Sequence, residues 1–241
     1  YEACERYSED TLRSRGILPW SIERVYNQLV AEMSNCDVKD SSAASLSRVL
    51  RLSADLGHYI GDAHVPLHTT ANYNGQFTGQ IGIHALWETH VYETSRPCWT
   101  GQRIEAVYIP DIRDWVWARI MSSNANVEEV LHMEKAVRER VGAPDVWGYR
   151  TRGRTLSLIP TPGFCEEYND SLGGMVEERF YLAAEGIASV WYSAWVDAGA
   201  PDLEHALIKP KKRNLMNELV HFLRARLPNQ KEHVEEDPNS H

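Results

Sequence analysis

"HYIGDAHVPLH", residues 58–68, puts three histidines and an aspartate into a short stretch at the end of a strong helical pattern. Upstream, from about Ala44 to Ala63, Leu46, Val49, Leu50, Leu56 and Ile60 recur at steps that mark the buried side of a helix. Arg48, Arg51, Asp55, His58 and Asp62 follow along another face, where charged side chains are ordinarily solvated. His58 and Asp62 are four residues apart, so their side chains share one face about one turn apart. Pro66 then opens a turn that leads to His68. Such a stretch is either a polar helix end or half of a metal site, and the second reading requires the other half nearby.

The other half is close in sequence. Residues 69–82, "TTANYNGQFTGQIG", have loop composition. A short helix is expected from about Ile83 to Glu93, carrying His84 and Glu88, again four apart. The whole pattern is H-x3-D-x5-H-x15-H-x3-E. Imidazole nitrogen and carboxylate oxygen are the ligands zinc accepts when thiolate is absent, and three of them with one open position mark a catalytic site. His68, His84 and Glu88 form such a set. His58 and Asp62 belong to a second metal or to a carboxylate-bridged pair. His64 faces away from this set and is read as a supporting or surface residue; His90 and His132 are read as structural or exposed.

Most of the remaining chain also reads as helix. "ILPWSIERVYNQLVAEM" (17–33) has Pro19 in its first turn and Ile22, Val25, Tyr26, Leu29 and Val30 at helical spacing. Two helices are expected either side of Asn124–Asn126, and a long one from Pro162 to about Asp197 with a break at Gly173–Gly174. Gly199 and Pro201 end it. A first helix ending near Arg15 and a last one over 212–227 complete the set. The stretch 142–163 reads as irregular, with "TLSLIP" (155–160) its best strand candidate. The fold class is all-α, a single multi-helix domain over 1–208 followed by a C-terminal helix and polar tail over 209–241.

Composition narrows the partners. The 241 residues are 43% hydrophobic and carry a formal charge of −9. That balance argues against non-specific binding to a nucleic-acid backbone, although bound metal ions can make a locally positive site. No apolar run is long enough to span a membrane, no signal peptide is recognisable, and no stable protein partner is evident. Cys4, Cys36, Cys98 and Cys165 form no CxxC pair, so two disulfides and four free thiols remain equally open.

The motifs "LGHYIGDAHVPLH", "GIHALWE", "GILPW" and "WYSAWVDAGAPDL" resemble the zinc-dependent phospholipase C and single-strand-specific zinc nuclease superfamily over roughly residues 5–208. Glu88 as the last ligand and the short loop before His84 lean toward the phospholipase C-like branch. The resemblance implies an all-α phosphoesterase with up to three zinc ions. It implies that His58 binds one zinc, that Asp62 bridges that ion and a second, and that His68, His84 and Glu88 hold the third. Metal-activated water would attack the phosphate ester of a phospholipid, nucleotide or nucleic acid, with no catalytic side chain beyond the ligands. Secretion or a periplasmic location is implied as well.

The family's other ligands precede the position of His58: an N-terminal Trp, two histidines and an Asp. This chain starts with Tyr1 and has no histidine before His58. An N-terminally truncated family member is therefore expected, holding about one zinc through its surviving site. The alternatives are a single-strand-specific nuclease or nucleotidase of the same fold, with Tyr73 and Phe77 as base-stacking candidates, and a zinc-binding helical module without catalysis.

Overall fold

A computed structural model describes residues 17–36, 43–95, 103–152 and 155–203. The expected helices ending near Arg15 and spanning 212–227, and Cys4 and Cys98, lie outside these residues. Helix α1 is Leu18–Ser34 and α2 is Ala43–Ala63. A single 3-10 turn, Pro66–Thr69, follows. Three consecutive pieces, Ile83–Ala85, Leu86–Val91 and Tyr92–Ser95, form one rod, α3, whose middle piece is π-helical. Then come α4 (Ile112–Asn124), α5 (Val127–Val141), the one-turn α6 (Ala143–Val146), strands β1 (Trp147–Arg152) and β2 (Thr155–Pro160), α7 (Pro162–Ser171) and α8 (Met175–Asp197).

The described residues are mostly helical, as the spacing of apolar residues predicts. Local chemistry sets several boundaries. Asp111 caps α4 by accepting from the Asp114 N–H at 2.9 Å. Thr161 caps α7 in the same way, through the Phe164 N–H at 3.2 Å. Gly173 and Gly174 lie at φ +60° and +91°, conformations that cost a side-chain-bearing residue dearly, so the break between α7 and α8 falls at the predicted glycine pair.

Two expectations are corrected. Leu50 is 58% exposed. The buried positions of α2 are Val49, Leu56, Ile60 and Ala63, and Leu50 is turned about 100° away from Val49 on the helix. Residues 147–160 are not irregular: β1 and β2 pair antiparallel, with Tyr149 opposite Leu158 and Thr151 opposite Leu156. Apolar periodicity could not separate this exposed hairpin from coil, because little of it is buried.

Helices α1, α2, α4 and the C-terminal half of α8 enclose one core, built on Ile22, Leu29, Leu56, Ile60, Val116 and Val190. A second core gathers Leu67, Ile83, Trp87, Val130, Phe164 and Tyr168 around α3, α5 and α7, with Met175 and Val176 from the start of α8. The extended chain before α4 is tied to α8 by two serines one turn apart. Ser189 Oγ accepts from the Val107 N–H at 3.1 Å and Ser193 Oγ from the Ile109 N–H at 2.8 Å. The seam between the two cores is where α2 ends and α3 begins.

Candidate metal centre

Three segments converge at that seam. The last two turns of α2 present His58 and Asp62. The 3-10 turn, set by Pro66 at its first position, presents His68. The start of α3 presents His84 and Glu88. The intervening loop is folded on itself rather than slack: Asn72 Nδ2–H donates to Thr78 Oγ1 at 3.0 Å, and Asn72 Oδ1 accepts from the Phe77 N–H at 2.8 Å. Gly75 is required there, since a Cβ would meet the Gln80 carbonyl oxygen at 2.3 Å. Gln80, buried in turn, donates to the Leu131 carbonyl at 2.7 Å and to Glu134 Oε2 at 2.6 Å on α5. The loop thereby delivers α3 at a defined angle.

Glu88 receives both imidazoles. His68 Nε2–H donates to Glu88 Oε1 at 2.7 Å, and His84 Nε2 lies 3.1 Å from Oε2. The two rings stand 4.9 Å apart, centre to centre. One ligand atom from each of His68, His84 and Glu88 falls within 4.8 Å of the other two, so these three can hold a metal ion. Among the described residues they are the one group of three that meets this condition. Metal–ligand bonds of about 2.1 Å put tetrahedral neighbours roughly 3.4 Å apart, a spacing somewhat tighter than the outer limit of this group. The donor set, two imidazoles and a carboxylate, fits zinc.

His58 and Asp62 are not part of the three-residue group. They make a neighbouring pair, with His58 Nε2 at 3.6 Å from Asp62 Oδ2 and the His58 side chain 71% exposed. Asp62 still touches the group: its Oδ2 is 4.0 Å from His68 Nδ1, on the ring edge opposite Glu88. It therefore stands between His58 and His68.

Charge in the cluster is mutually adjusted. The hydrogen bond with Glu88 holds the His68 imidazole above its ordinary value, against burial, with the charges of Asp62 and Glu88 assisting. Burial alone would raise the Glu88 carboxyl, but the bond to His68 and the charges of His68, His84 and His58 bring it below the usual carboxylate range.

His64 is not a surface residue. It is 2% exposed, and its Nδ1–H donates to the Ile60 carbonyl at 2.8 Å, which points the ring into the α2–α8 interface instead of the cluster. His90 is half-buried and His132 exposed, as expected. Tyr73 sits edge-on to His84 with ring centres 6.1 Å apart, and Phe77 is 74% exposed. Beside the cluster, a cleft of about 480 Å³ is bordered by His58, Asp62 and Glu88 and walled by Tyr92, Phe180 and Ile187. Sequence reasoning missed Gln80 and Glu134, which anchor the loop; a glutamine in a polar loop and a glutamate on an amphipathic helix carry no signal of burial.

Cys36 and Cys165 are buried free thiols, and burial pushes the Cys165 thiol up to about 11. No helix of the described residues is long and apolar enough to cross a membrane. Comparison with known proteins finds no family model that matches this chain, and no curated protein or solved structure significantly similar to it.

Proposed function

We propose that the chain is a zinc-dependent phosphoric ester hydrolase of the phospholipase C-like type, on the helical domain of that superfamily. The observation that carries this reading is the convergence of His68, His84 and Glu88, with ligand atoms within 4.8 Å of one another, beside a cleft that Glu88 borders. When bound, zinc supplies Lewis acidity toward a phosphoryl oxygen and makes a water molecule more acidic. The two imidazoles bind as neutral ligands and Glu88 offsets part of the ionic charge. Asp62, with its Oδ2 4.0 Å from His68 Nδ1, adds negative charge beside that ring. By the resemblance, Asp62 and His58 serve a further metal ion. The apolar wall of Tyr92, Phe180 and Ile187 receives the non-phosphate part of the ester.

A second reading, a nucleotide- or single-strand-directed phosphodiesterase, is favoured by Tyr73, a 54% exposed ring beside His84 that a base can stack on. Metal analysis after dialysis tests the shared premise: roughly one zinc per chain is expected, lost in His84→Ala. Hydrolysis of an activated phosphodiester should fall by about a hundredfold or more in the same variant. No retained zinc, with hydrolysis unaffected by His84→Ala, overturns the proposal. Retained zinc without hydrolysis supports the non-catalytic module. Tyr73→Ala separates the two enzymes, weakening turnover of dinucleotides and not of choline phospholipids.

A further inference from the structure

The cleft beside the cluster is lined by polar side chains that the described chain leaves partly unsatisfied. Among the described residues six buried side-chain nitrogen or oxygen atoms have no hydrogen-bond partner, and three of them, His64 Nε2, Trp87 Nε1 and Arg179 Nε, belong to side chains that line this one cleft. These residues are 2%, 5% and 7% exposed. Buried polar groups are paired as a rule, so three such atoms around one cleft mark a place built for a partner.

Arg179 is the most telling of them. Met175, Val176 and Arg179 are the buried residues in the first turns of α8, so a guanidinium stands where packing alone favours an apolar side chain. Its Nη1–H donates to Ser122 Oγ at 3.2 Å, but among the described residues it forms no ion pair. A buried water can meet a free N–H, yet it does not offset a buried charge. Trp87, on the π-helical piece of α3, adds an indole N–H, a group that only donates. His64 Nε2 is an acceptor, because Nδ1 carries the proton given to the Ile60 carbonyl, and so stands outside the donor set. A cation and an N–H on the same cleft call for an oxyanion. The carboxylates that border the cleft are each flanked by two imidazoles, which tempers their repulsion. Asp62 has His58 at 3.6 Å and His68 at 4.0 Å, and Glu88 has His68 at 2.7 Å and His84 at 3.1 Å.

We infer that Arg179 and Trp87 form an oxyanion subsite in this cleft, one that holds a phosphate-type group while Phe180 and Ile187 beside it take the organic part of the ligand. The planar fork of arginine suits phosphate oxygens. The choice of phosphate as the anion rests on the phosphoester reading above; the unpaired cation and the indole donor do not.

Calorimetric titration of the full chain with inorganic phosphate tests it, on the protein as purified and again after metal is removed with a chelator. Binding is expected in both, because the subsite is made of side chains and not of the ion. Arg179→Met should weaken it by at least about tenfold. Arg179→Lys should weaken it by about fivefold, since lysine keeps the charge without the fork, and Trp87→Phe by about three- to tenfold. In phosphate-free buffer Arg179→Met should melt no lower than the wild type, because it removes a buried charge that lacks a counter-charge. The inference is overturned if the metal-free wild type takes up no phosphate, or if Arg179→Met binds it as well as the wild type. A melting temperature far below wild type for Arg179→Met in phosphate-free buffer also overturns it, and assigns the guanidinium to a carboxylate of this chain. Phosphate binding that disappears with the metal assigns the anion to the metal centre instead. Phosphate binding by a chain that retains no zinc leaves this subsite standing while the metal reading fails.

Discussion

His64 shows how one side chain can make stability depend on pH. Burial pushes its pKa down to about 4; the bond to the Ile60 carbonyl opposes this, and the charges of Arg119 and Arg179 reinforce it. The folded protein keeps this imidazole neutral where the unfolded chain takes up a proton. Between about pH 6.5 and pH 4 the unfolded state therefore binds more protons, so stability rises with pH across that window and is lost as pH falls through it. The difference amounts to roughly 3 kcal/mol across the window. Urea titrations at several pH values should show this slope in the wild type and a flatter one in His64→Gln. Equal slopes would mean that other groups dominate acid unfolding.

At the scale of elements, two contacts decide how the helices meet. Glu134 on α5 is fully buried and is bonded both by Gln80 and, through Nε at 2.8 Å, by Arg138. Glu134→Ala leaves Arg138 partly buried without its carboxylate and removes one of the two bonds by which Gln80 anchors the loop that precedes α3. A loss of about 3 kcal/mol in chemical denaturation is expected. Zinc affinity, read by competition with a chelating dye, should fall about tenfold, because the loop sets the angle at which His84 and Glu88 arrive. Gly186 on α8 is the second contact. A Cβ there would meet Trp115 Cη2 at 2.9 Å and His64 Cε1 at 3.2 Å. Gly186→Ala should lower the denaturation midpoint by an amount equivalent to roughly 1–3 kcal/mol.

These elements also show what the amino-acid order makes legible. The helices α1, α2 and α5 were readable because each buries one apolar stripe, and stripes at a 3.6-residue period announce themselves. His58, Asp62, His68, His84 and Glu88 stood out for a similar reason, two pairs at a spacing of four flanking a turn. The pairing of β1 with β2 was not readable, since its leucines face outward and no buried alternation marks the strands. Nor were the partners of Gln80, Glu134 and His64, whose burial depends on residues tens of positions away. The π-helical piece of α3 was equally silent, being a matter of backbone winding and not of residue type.

For the whole molecule, the feature that matters is where the candidate cluster lies relative to the two cores. His58 and Asp62 extend from the core of α1, α2, α4 and α8, while His84 and Glu88 extend from that of α3, α5 and α7. An ion bound by His68, His84 and Glu88 fixes the 3-10 turn against α3 and so ties the seam. Zinc at a hundred times its dissociation constant adds about 2.7 kcal/mol of stability. For a chain of this size that corresponds to a melting temperature higher by roughly 5–10 °C. Calorimetry before and after removal of metal by a chelator measures this directly. A shift that persists in His84→Ala would place the ion elsewhere.

The candidate ligands all fall between His58 and Glu88, in one uninterrupted segment joined by a compact loop. Closing so short a stretch costs little chain entropy, so the ligands can find one another early during folding. The cleft beside them is different: its far wall, Phe180 and Ile187, comes from α8, about ninety or more residues downstream. During synthesis the ion's grip can therefore form while its shelter from water is still unmade. A nascent chain has its candidate ligands synthesised first and completes its cleft last.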